Sequence, residues 1–200
     1  DDLANAARDL ALSWRWTGER VYAEEAAWIL KENARLYLTY ALHDKDGKNT
    51  RSGARVHAQT LDEAVWLIPV AWAYDLLRGS DVLTDEERAS IENDLLREAV
   101  KTIQRNDAGA SNWQSWHNAA IGAVGFALAD EEMIAAAIDG RSGFWFQMEN
   151  SVTPDGFWYE GAWGYHFYAL DPLLRLAEMA SKNGRDLYAA EPLKKMFDAP

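Results

Sequence analysis

The chain has 200 residues, of which 48% are hydrophobic, so it can bury the core of one globular domain or of part of a larger one. Its 32 acidic residues outnumber 20 basic ones and give a formal charge of −12, which argues against the basic surface that nucleic-acid binding needs. The absence of cysteine excludes disulfides and thiolate metal sites, and no apolar run of about 18 residues predicts a membrane helix.

Helical periodicity begins at the start of the chain. Residues 2–16 form a predicted helix that ends at Gly18, and a second helix is predicted over residues 22–42. The polar stretch 43–53 contains two glycines and many charges, which indicates a loop. The first part of the chain is therefore predicted to be a pair of helices followed by a polar loop.

A long apolar helix is predicted next. Thr60 and Glu63 have the order of a capping box, in which Thr60 is the N-cap of a helix that runs to Leu77. Pro69 lies inside this helix and is expected to kink it.

The rest of the chain also has the helical period. Thr84 and Glu87 repeat the capping-box order and begin an amphipathic helix to about Ile103. Further helices are predicted over residues 113–128, 131–138, 144–150 and 164–182. Short loops between consecutive helices predict an all-α chain of helical hairpins, which can form a bundle, a solenoid or a toroid. The lack of a fixed-period repeat argues against the common solenoids.

The first motif with chemical potential starts at Asn112, where a glycine-containing loop enters a helix rich in alanine and glycine. Asn112, or Ser111 before it, can cap this helix. Helical spacing places Trp113, Trp116 and His117 on one face. An amide, an imidazole and indoles at a helix start predict the floor of a cleft. The alternative is an ordinary N-cap with a buried core histidine.

The second motif is an aromatic segment punctuated by glycines. Pro154-Asp155-Gly156 predicts a turn, and Tyr165 and Tyr168 then share a helix face by their spacing of three. Its other aromatic and polar members are Phe157, Trp158, Tyr159, Glu160, Trp163, His166 and Phe167. Tryptophan suits both cores and clefts that stack sugars. The segment therefore indicates a role beyond the core, with core packing of a bonded hydroxyl as the alternative for each tyrosine.

Both motifs resemble those of polysaccharide lyases with an incomplete helical toroid, namely the heparinase II/III-like, alginate-lyase-like and chondroitin-lyase-like families. Asn112-Trp113 through Gly122-Ala123 resembles their Asn-Trp or Asn-His segment that enters a small-residue helix. Asp155 through Tyr165 resembles their Asp-Gly-aromatic segment before a catalytic tyrosine. A looser match runs from Gln59 to Leu77. The resemblance covers residues from about 55 to about 180.

The resemblance implies an architecture and a location. Residues 1–200 are expected to form the N-terminal portion of an (α/α) toroid catalytic domain, and the remaining hairpins and a C-terminal β-sandwich domain are expected in a longer protein. The implied partner is an acidic polysaccharide such as alginate, heparan sulfate or chondroitin. The protein is expected to be secreted or periplasmic, and no metal or organic cofactor is implied.

The resemblance also implies roles for residues in a β-elimination that cleaves a uronate-containing polymer. Asn112, with His117 beside it, is expected to bind and neutralise the uronate carboxylate, which stabilises the enolate-like transition state. Tyr165 is expected to be the acid/base, with Tyr168 as the alternative. The expected sugar-binding residues are Trp113, Trp116, Trp158, Glu160, Trp163, His166, Arg55, His57 and Gln59.

Some alternatives stay open. A basic tyrosine needs positive charge nearby, for which His117, His166 or Arg55 are candidates. A helical-toroid glycoside hydrolase using Asp155 and Glu160 is a second possibility, although two carboxyls on one loop fit poorly on either side of a scissile bond. A glycan-binding helical domain without catalysis is the third.

Overall fold

The computed structural model describes residues 2–199 and confirms the all-α prediction. Over these residues it contains helices, loops and two isolated antiparallel bridges but no β-strand. No helix within the same range has both the length and the apolar composition needed to cross a bilayer. The chain divides into two compact units, one up to Asn106 and one from Asp107 onward.

The first unit is built around the alanine-lined face of its first helix. Its helices are α1 (Asp2–Thr17), α2 (Arg20–Tyr37), α3 (Thr60–Leu77), α4 (Asp85–Ser90), a π-helical segment (Ile91–Leu96) and α5 (Arg97–Gln104). Gly18 ends α1 with a φ of +73°, as its position predicted. The buried Ala4, Ala7 and Ala11 lie on one side of α1, which packs against α2 and α3. Alanines at this spacing let the helix axes approach closely.

Two predicted helix limits differ from the structure. The second helix ends at Tyr37 rather than residue 42, because the chain turns there through hydrogen bonds from Thr39 N to Leu36 O and from Tyr40 N to Tyr37 O. The helix predicted over residues 84–103 is interrupted by the π-helical segment.

The two predicted capping boxes have different outcomes. At Thr84 the prediction is confirmed, because its hydroxyl accepts from Glu87 N (3.2 Å) and the Glu87 carboxylate accepts from Thr84 N (2.9 Å). At Thr60 it is wrong, because Gln59 is the N-cap and makes no capping bond with its side chain. Glu63 is fully buried and binds other partners instead. Pro69 lies inside α3, and the helix continues through it.

The second unit is built around one helix of small residues. Its helices are α6 (Asn112–Leu128), α7 (Glu131–Ile138), α8 (Phe144–Asn150), α9 (Trp163–Lys182) and α10 (Glu191–Asp198). Helix α6 packs against α7, α8 and α9. A Cβ added at Gly122 would lie 2.4 Å from Leu176 Cδ1 on α9, and one at Gly125 would lie 3.0 Å from Ile134 N on α7. The glycines of α6 therefore set how closely its neighbours pack.

Helix α10 was not predicted. It is amphipathic and short, with Leu193 and Met196 buried three residues apart, while Lys194 and Lys195 pair with acidic residues of their own helix. Pro192 lies in its first turn, where a missing N–H costs nothing.

Candidate active site

The loop that leads into α6 is fixed by its own hydrogen bonds. The Asp107 carboxylate accepts from Gly109 N (3.0 Å) and from the Ser142 hydroxyl (2.8 Å). Ser111 is the N-cap of α6, because its hydroxyl accepts from Gln114 N at 3.2 Å. Of the two capping residues considered from the sequence, Ser111 is therefore the one used. The Asn112 side chain is left to make other contacts from the first position of the helix.

Buried amide side chains hold this loop from below. The Gln114 side-chain oxygen accepts from Ala108 N (2.9 Å), and its nitrogen donates to Asn118 Oδ1 (2.9 Å). Asn118 in turn donates to Ser142 O at 2.9 Å. Gln147, which is fully buried on α8, donates to Gly109 O at 2.8 Å. These supporting amides were not predicted from the sequence, although Gln114 and Asn118 lie four residues apart on one helix.

The second motif forms a tight loop before α9. Val152 and Trp158 form an antiparallel bridge around a turn at Gly156, which has a φ of +92°. Trp158 is buried, and its backbone N–H donates to His166 Nδ1 at 3.2 Å. The His166 Nε2 lies 3.0 Å from Met196 O. Because a carbonyl can only accept, Nε2 donates to Met196 O and Nδ1 accepts from Trp158 N, so His166 links the loop to α10.

Glu160 joins the two motifs. Its Oε2 accepts from Asn112 Nδ2 at 2.7 Å and from Trp158 Nε1 at 2.6 Å. Asn112 is 5% exposed, and Glu160 is half-buried. Two short bonds to one carboxylate oxygen are charge-assisted and therefore strong. The structure thus brings Asn112 and the aromatic loop together.

The two tyrosines of the second motif lie near the start of α9 and differ in their surroundings. Tyr165 is 50% exposed, and Tyr168 is 38% exposed. The Tyr168 ring packs on Trp116 of α6 with ring centroids 5.3 Å apart. The Arg175 guanidinium lies 5.7 Å from the centroid of the Trp116 ring. Its Nε also pairs with Asp171 Oδ1 at 2.6 Å. Tyr165 is thus the more accessible phenol, and Tyr168 is partly committed to helix packing.

Exposed aromatic rings surround a small pocket in the same unit. Trp163 and Phe167 are both more than half exposed and stack with an interplanar angle of 20°. The pocket has a volume of about 180 Å³. It is lined by Phe157, Trp158, Gly161, Ala162, Trp163 and His166. This surface can take the apolar face of a ring-shaped ligand.

Several of the predicted site residues lie inside the protein. His117, Trp158 and His166 are each 1% exposed, and Trp116 is 5% exposed. Each of these rings exposes little surface, and the predicted stacking of Trp116 and Trp158 and the predicted substrate contacts of His117 and His166 stay predictions. Trp113 keeps a partly exposed side chain and Trp163 a largely exposed one.

The predicted residues of the first unit are held by local contacts. Arg55 donates to Tyr40 O at 2.6 Å, and Gln59 donates to Asp62 at 2.8 Å. The backbone N–H of His57 donates to the Glu63 carboxylate at 3.0 Å, and burial lowers the pKa of His57 below its ordinary value. All three predicted residues are partly exposed. Their predicted contact with substrate stays a prediction.

Comparisons with known proteins point to one family. A family model described as alginate lyase matches residues 1–199. An alginate lyase from Stenotrophomonas maltophilia (strain K279a) is 33% identical over 192 residues, 92% of this chain and 24% of that protein. An exo-oligoalginate lyase from Saccharophagus degradans (strain 2-40) is 28% identical over 202 residues, 96% of this chain and 26% of that protein. The chain therefore spans about a quarter of the length of these relatives.

Solved structures share the fold. Alginate lyase A1-III from Sphingomonas species A1 matches with a TM-score of 0.78 at 19% identity, over 99% of this chain and 56% of that one. A variant of A1-III complexed with a tetrasaccharide matches with a TM-score of 0.79 at 19% identity, over 99% of this chain and 57% of that one. The fold class predicted from the resemblance, helical hairpins of an (α/α) toroid, is thereby confirmed. Because the family model covers residues 1–199, the chain belongs to the alginate lyase family.

Proposed function

We propose that this chain is part of a polysaccharide lyase that cleaves alginate, a uronate polymer, by β-elimination. The observation that carries the proposal is the hydrogen bond between Asn112 and Glu160, which joins the amide motif to the aromatic loop in one unit. The names of the two relatives, alginate lyase and exo-oligoalginate lyase, favour alginate among acidic polysaccharides.

The proposed reaction needs a carboxylate-binding group and an acid/base. A base removes the proton from the ring carbon that bears the carboxylate. The electron pair becomes the new C=C double bond as the glycosidic C–O bond breaks, and an acid protonates the leaving oxygen. Asn112 donates a hydrogen bond to the uronate carboxylate and stabilises the charge that develops there. This contact is assigned to Asn112 rather than His117, because the Asn112 side chain is the one that bonds the half-buried Glu160.

Tyr165 is our choice for the acid/base. It is half exposed, whereas Tyr168 packs on Trp116. Trp163 and Phe167 provide an exposed surface on which a sugar ring can stack. Neither His117 nor His166 supplies an accessible cation for this phenol, because both rings are buried.

The glycoside hydrolase alternative is not favoured by the geometry. Asp155 is exposed at the turn, where its carboxylate accepts from the Thr153 hydroxyl at 2.6 Å, and one oxygen of Glu160 already accepts two hydrogen bonds. A secreted or periplasmic location, where an alginate lyase meets its polymer, is part of the proposal. That further hairpins and a β-sandwich domain complete the protein stays a prediction.

The decisive assay uses the full-length protein. It is incubated separately with alginate, heparan sulfate and chondroitin, and the ultraviolet absorbance of the new double bond is followed. We expect absorbance to rise with alginate. New reducing ends without absorbance would instead indicate hydrolysis, and binding without cleavage would indicate a glycan-binding domain.

Substitution of the tyrosines tests the assignment. We expect Tyr165→Phe to lower kcat by about 10²-fold or more, the usual contribution of a positioned acid/base, with substrate binding retained. Tyr188→Phe is the matched control, because Tyr188 is a similarly exposed phenol of the same unit. If Tyr165→Phe retains full activity and Tyr168→Phe abolishes it, the acid/base lies one turn further along α9.

A further inference from the structure

A single carboxylate oxygen receives the hydrogen bonds of both Asn112 and Trp158. Trp158 is buried, and its backbone N–H donates to His166. Its indole N–H is therefore a donor in a fixed position. It holds Glu160 Oε2 at 2.6 Å, and the same oxygen holds Asn112 Nδ2 at 2.7 Å. The order of contacts therefore runs from a rigid indole through Glu160 to the amide proposed to bind substrate.

A carboxylate next to an asparagine decides which way the amide faces. The oxygen and nitrogen ends of an amide have nearly the same shape, so packing alone does not distinguish them. An ionised carboxylate can only accept, so only the nitrogen end of Asn112 can face Glu160. One of the two N–H groups is then used by Glu160, and the second is held in a fixed direction for another acceptor.

The charge of Glu160 also makes direct substrate binding by this residue unfavourable. A uronate carries a carboxylate of its own, and two like charges at close distance repel each other. Donors, not acceptors, are what a substrate carboxylate requires. Glu160 is therefore better suited to orient a donor than to contact the sugar acid, contrary to its predicted role as a substrate-binding residue.

We propose that Glu160 is a positioning residue that orients the Asn112 amide so that one N–H of Nδ2 remains directed at the substrate carboxylate. Trp158 fixes Glu160 in turn. The inference rests on the proposed function for its effect on catalysis, whereas the orientation of the amide can be measured without turnover.

The kinetic experiment compares Glu160→Ala, Glu160→Gln and the control Glu149→Ala in the full-length protein. Glu149 is an exposed carboxylate of the same unit. We expect Glu160→Ala to lower kcat by about 10-fold to 10²-fold with KM changed by no more than about twofold, since a misdirected donor loses transition-state stabilisation. Glu160→Gln should lose less, because its amide oxygen can still accept from Asn112. A higher KM with unchanged kcat would contradict the positioning role, because it would mean that Glu160 contacts the substrate itself.

A double-mutant cycle tests whether Glu160 acts through Asn112. In a protein that already carries Asn112→Ala, adding Glu160→Ala should change kcat by less than about twofold, because the group it orients is absent. If the two losses multiply instead, Glu160 acts independently and the inference is overturned.

A spectroscopic measurement separates this inference from the proposed function. In ¹⁵N–¹H spectra of asparagine-labelled protein, the Asn112 side-chain pair is identified by its loss in Asn112→Ala. We expect one of its two proton resonances to shift on Glu160→Ala and to be largely restored in Glu160→Gln. Unmoved Asn112 resonances overturn the positioning role whether or not the protein is a lyase. Absence of double-bond formation by the wild type refutes the proposed function, even where the Asn112 resonances respond as expected.

Discussion

At the scale of single residues, burial decides the hydrogen-bond partners and the ionisation of the Glu63 carboxyl group. Glu63 was predicted to cap a helix, yet it is fully buried and accepts from the Tyr37 hydroxyl (2.8 Å) and from the N–H groups of Val56 and His57 (3.0 Å each). Burial raises the pKa of Glu63 because the charged form loses hydration, and the hydrogen bonds offset this only in part. The same burial raises the pKa of Tyr37.

The raised pKa of Glu63 predicts a pH dependence of stability. Below about pH 4.5 the carboxyl is protonated in both the folded and the unfolded chain. As pH rises through the raised folded pKa, ionisation is easier in the unfolded chain, so the free energy of unfolding falls. The fall is about 1.4 kcal/mol for each unit by which the pKa is raised.

Urea unfolding of wild type and Glu63→Gln from about pH 4 to about pH 8 measures this effect. We expect the stability of wild type relative to Glu63→Gln to decrease over this range, because glutamine does not ionise. Glu25→Gln, at an exposed carboxyl of α2, is the control and should give a constant difference. A constant difference for Glu63→Gln as well would contradict the assignment.

The candidate site could be predicted from the sequence only in part. Asn112 and Tyr165 could be proposed from the sequence because each lies in a motif with a distinctive neighbourhood. The burial of His117 and Trp158 could not be recognised, because aromatic side chains suit cores and clefts equally. The link through Glu160 joins residues far apart in sequence, and no local pattern encodes such a contact.

At the scale of elements, the limits of a helix could be predicted where local chemistry decides them. Gly18 and the Thr84 capping box were read correctly because a left-handed φ and a reciprocal cap are local features. The capping box predicted at Thr60 is wrong because the buried Glu63 carboxylate binds other partners. Helix α10 was missed because two buried residues, Leu193 and Met196, are too few to produce a clear period.

Two glycines of the aromatic loop give a matched prediction. Gly156 and Gly161 both have positive φ, +92° and +74°. A Cβ at Gly156 would lie 2.5 Å from Lys195 O, whereas nothing lies within 4 Å of one at Gly161. Both alanine variants should share the left-handed backbone cost of about 1 kcal/mol, and Gly156→Ala should lose a further ~1–3 kcal/mol from the clash.

Urea unfolding of the two variants tests this difference, because the φ cost cancels between them. Equal losses of stability would show that the loop moves away from α10 without cost. A larger loss at Gly156 would confirm that the close approach of loop and helix holds the second motif in place.

At the scale of the whole chain, the charge of −12 means that a polyuronate is not attracted by long-range electrostatics. Under the proposed function, recognition of a polyuronate therefore rests on directed donors such as Asn112 and on ring stacking on Trp163. The all-α class was readable from periodicity, but the arrangement of the hairpins was not, since bundles, solenoids and toroids share the same helical period.

The composition also predicts the solubility of the 200-residue chain. The sequence pI is about 4.7, so the net charge vanishes near that pH and intermolecular repulsion is lost. We expect solubility, measured as protein remaining after centrifugation, to have its minimum near pH 4.7 and to be high at pH 7. A minimum well above that pH would indicate that many acidic groups titrate abnormally.

The hydrogen bond between Asn112 and Glu160 also bears on how the protein folds. It joins residues 48 positions apart, and α7 and α8 lie between them in the chain. Helices can form within microseconds from local contacts, but closing this interval carries the entropy of a long loop. Assembly of the Asn112–Glu160 contact is therefore expected to follow helix formation, so the chain can be fully helical by circular dichroism before the Asn112 amide is bound to Glu160.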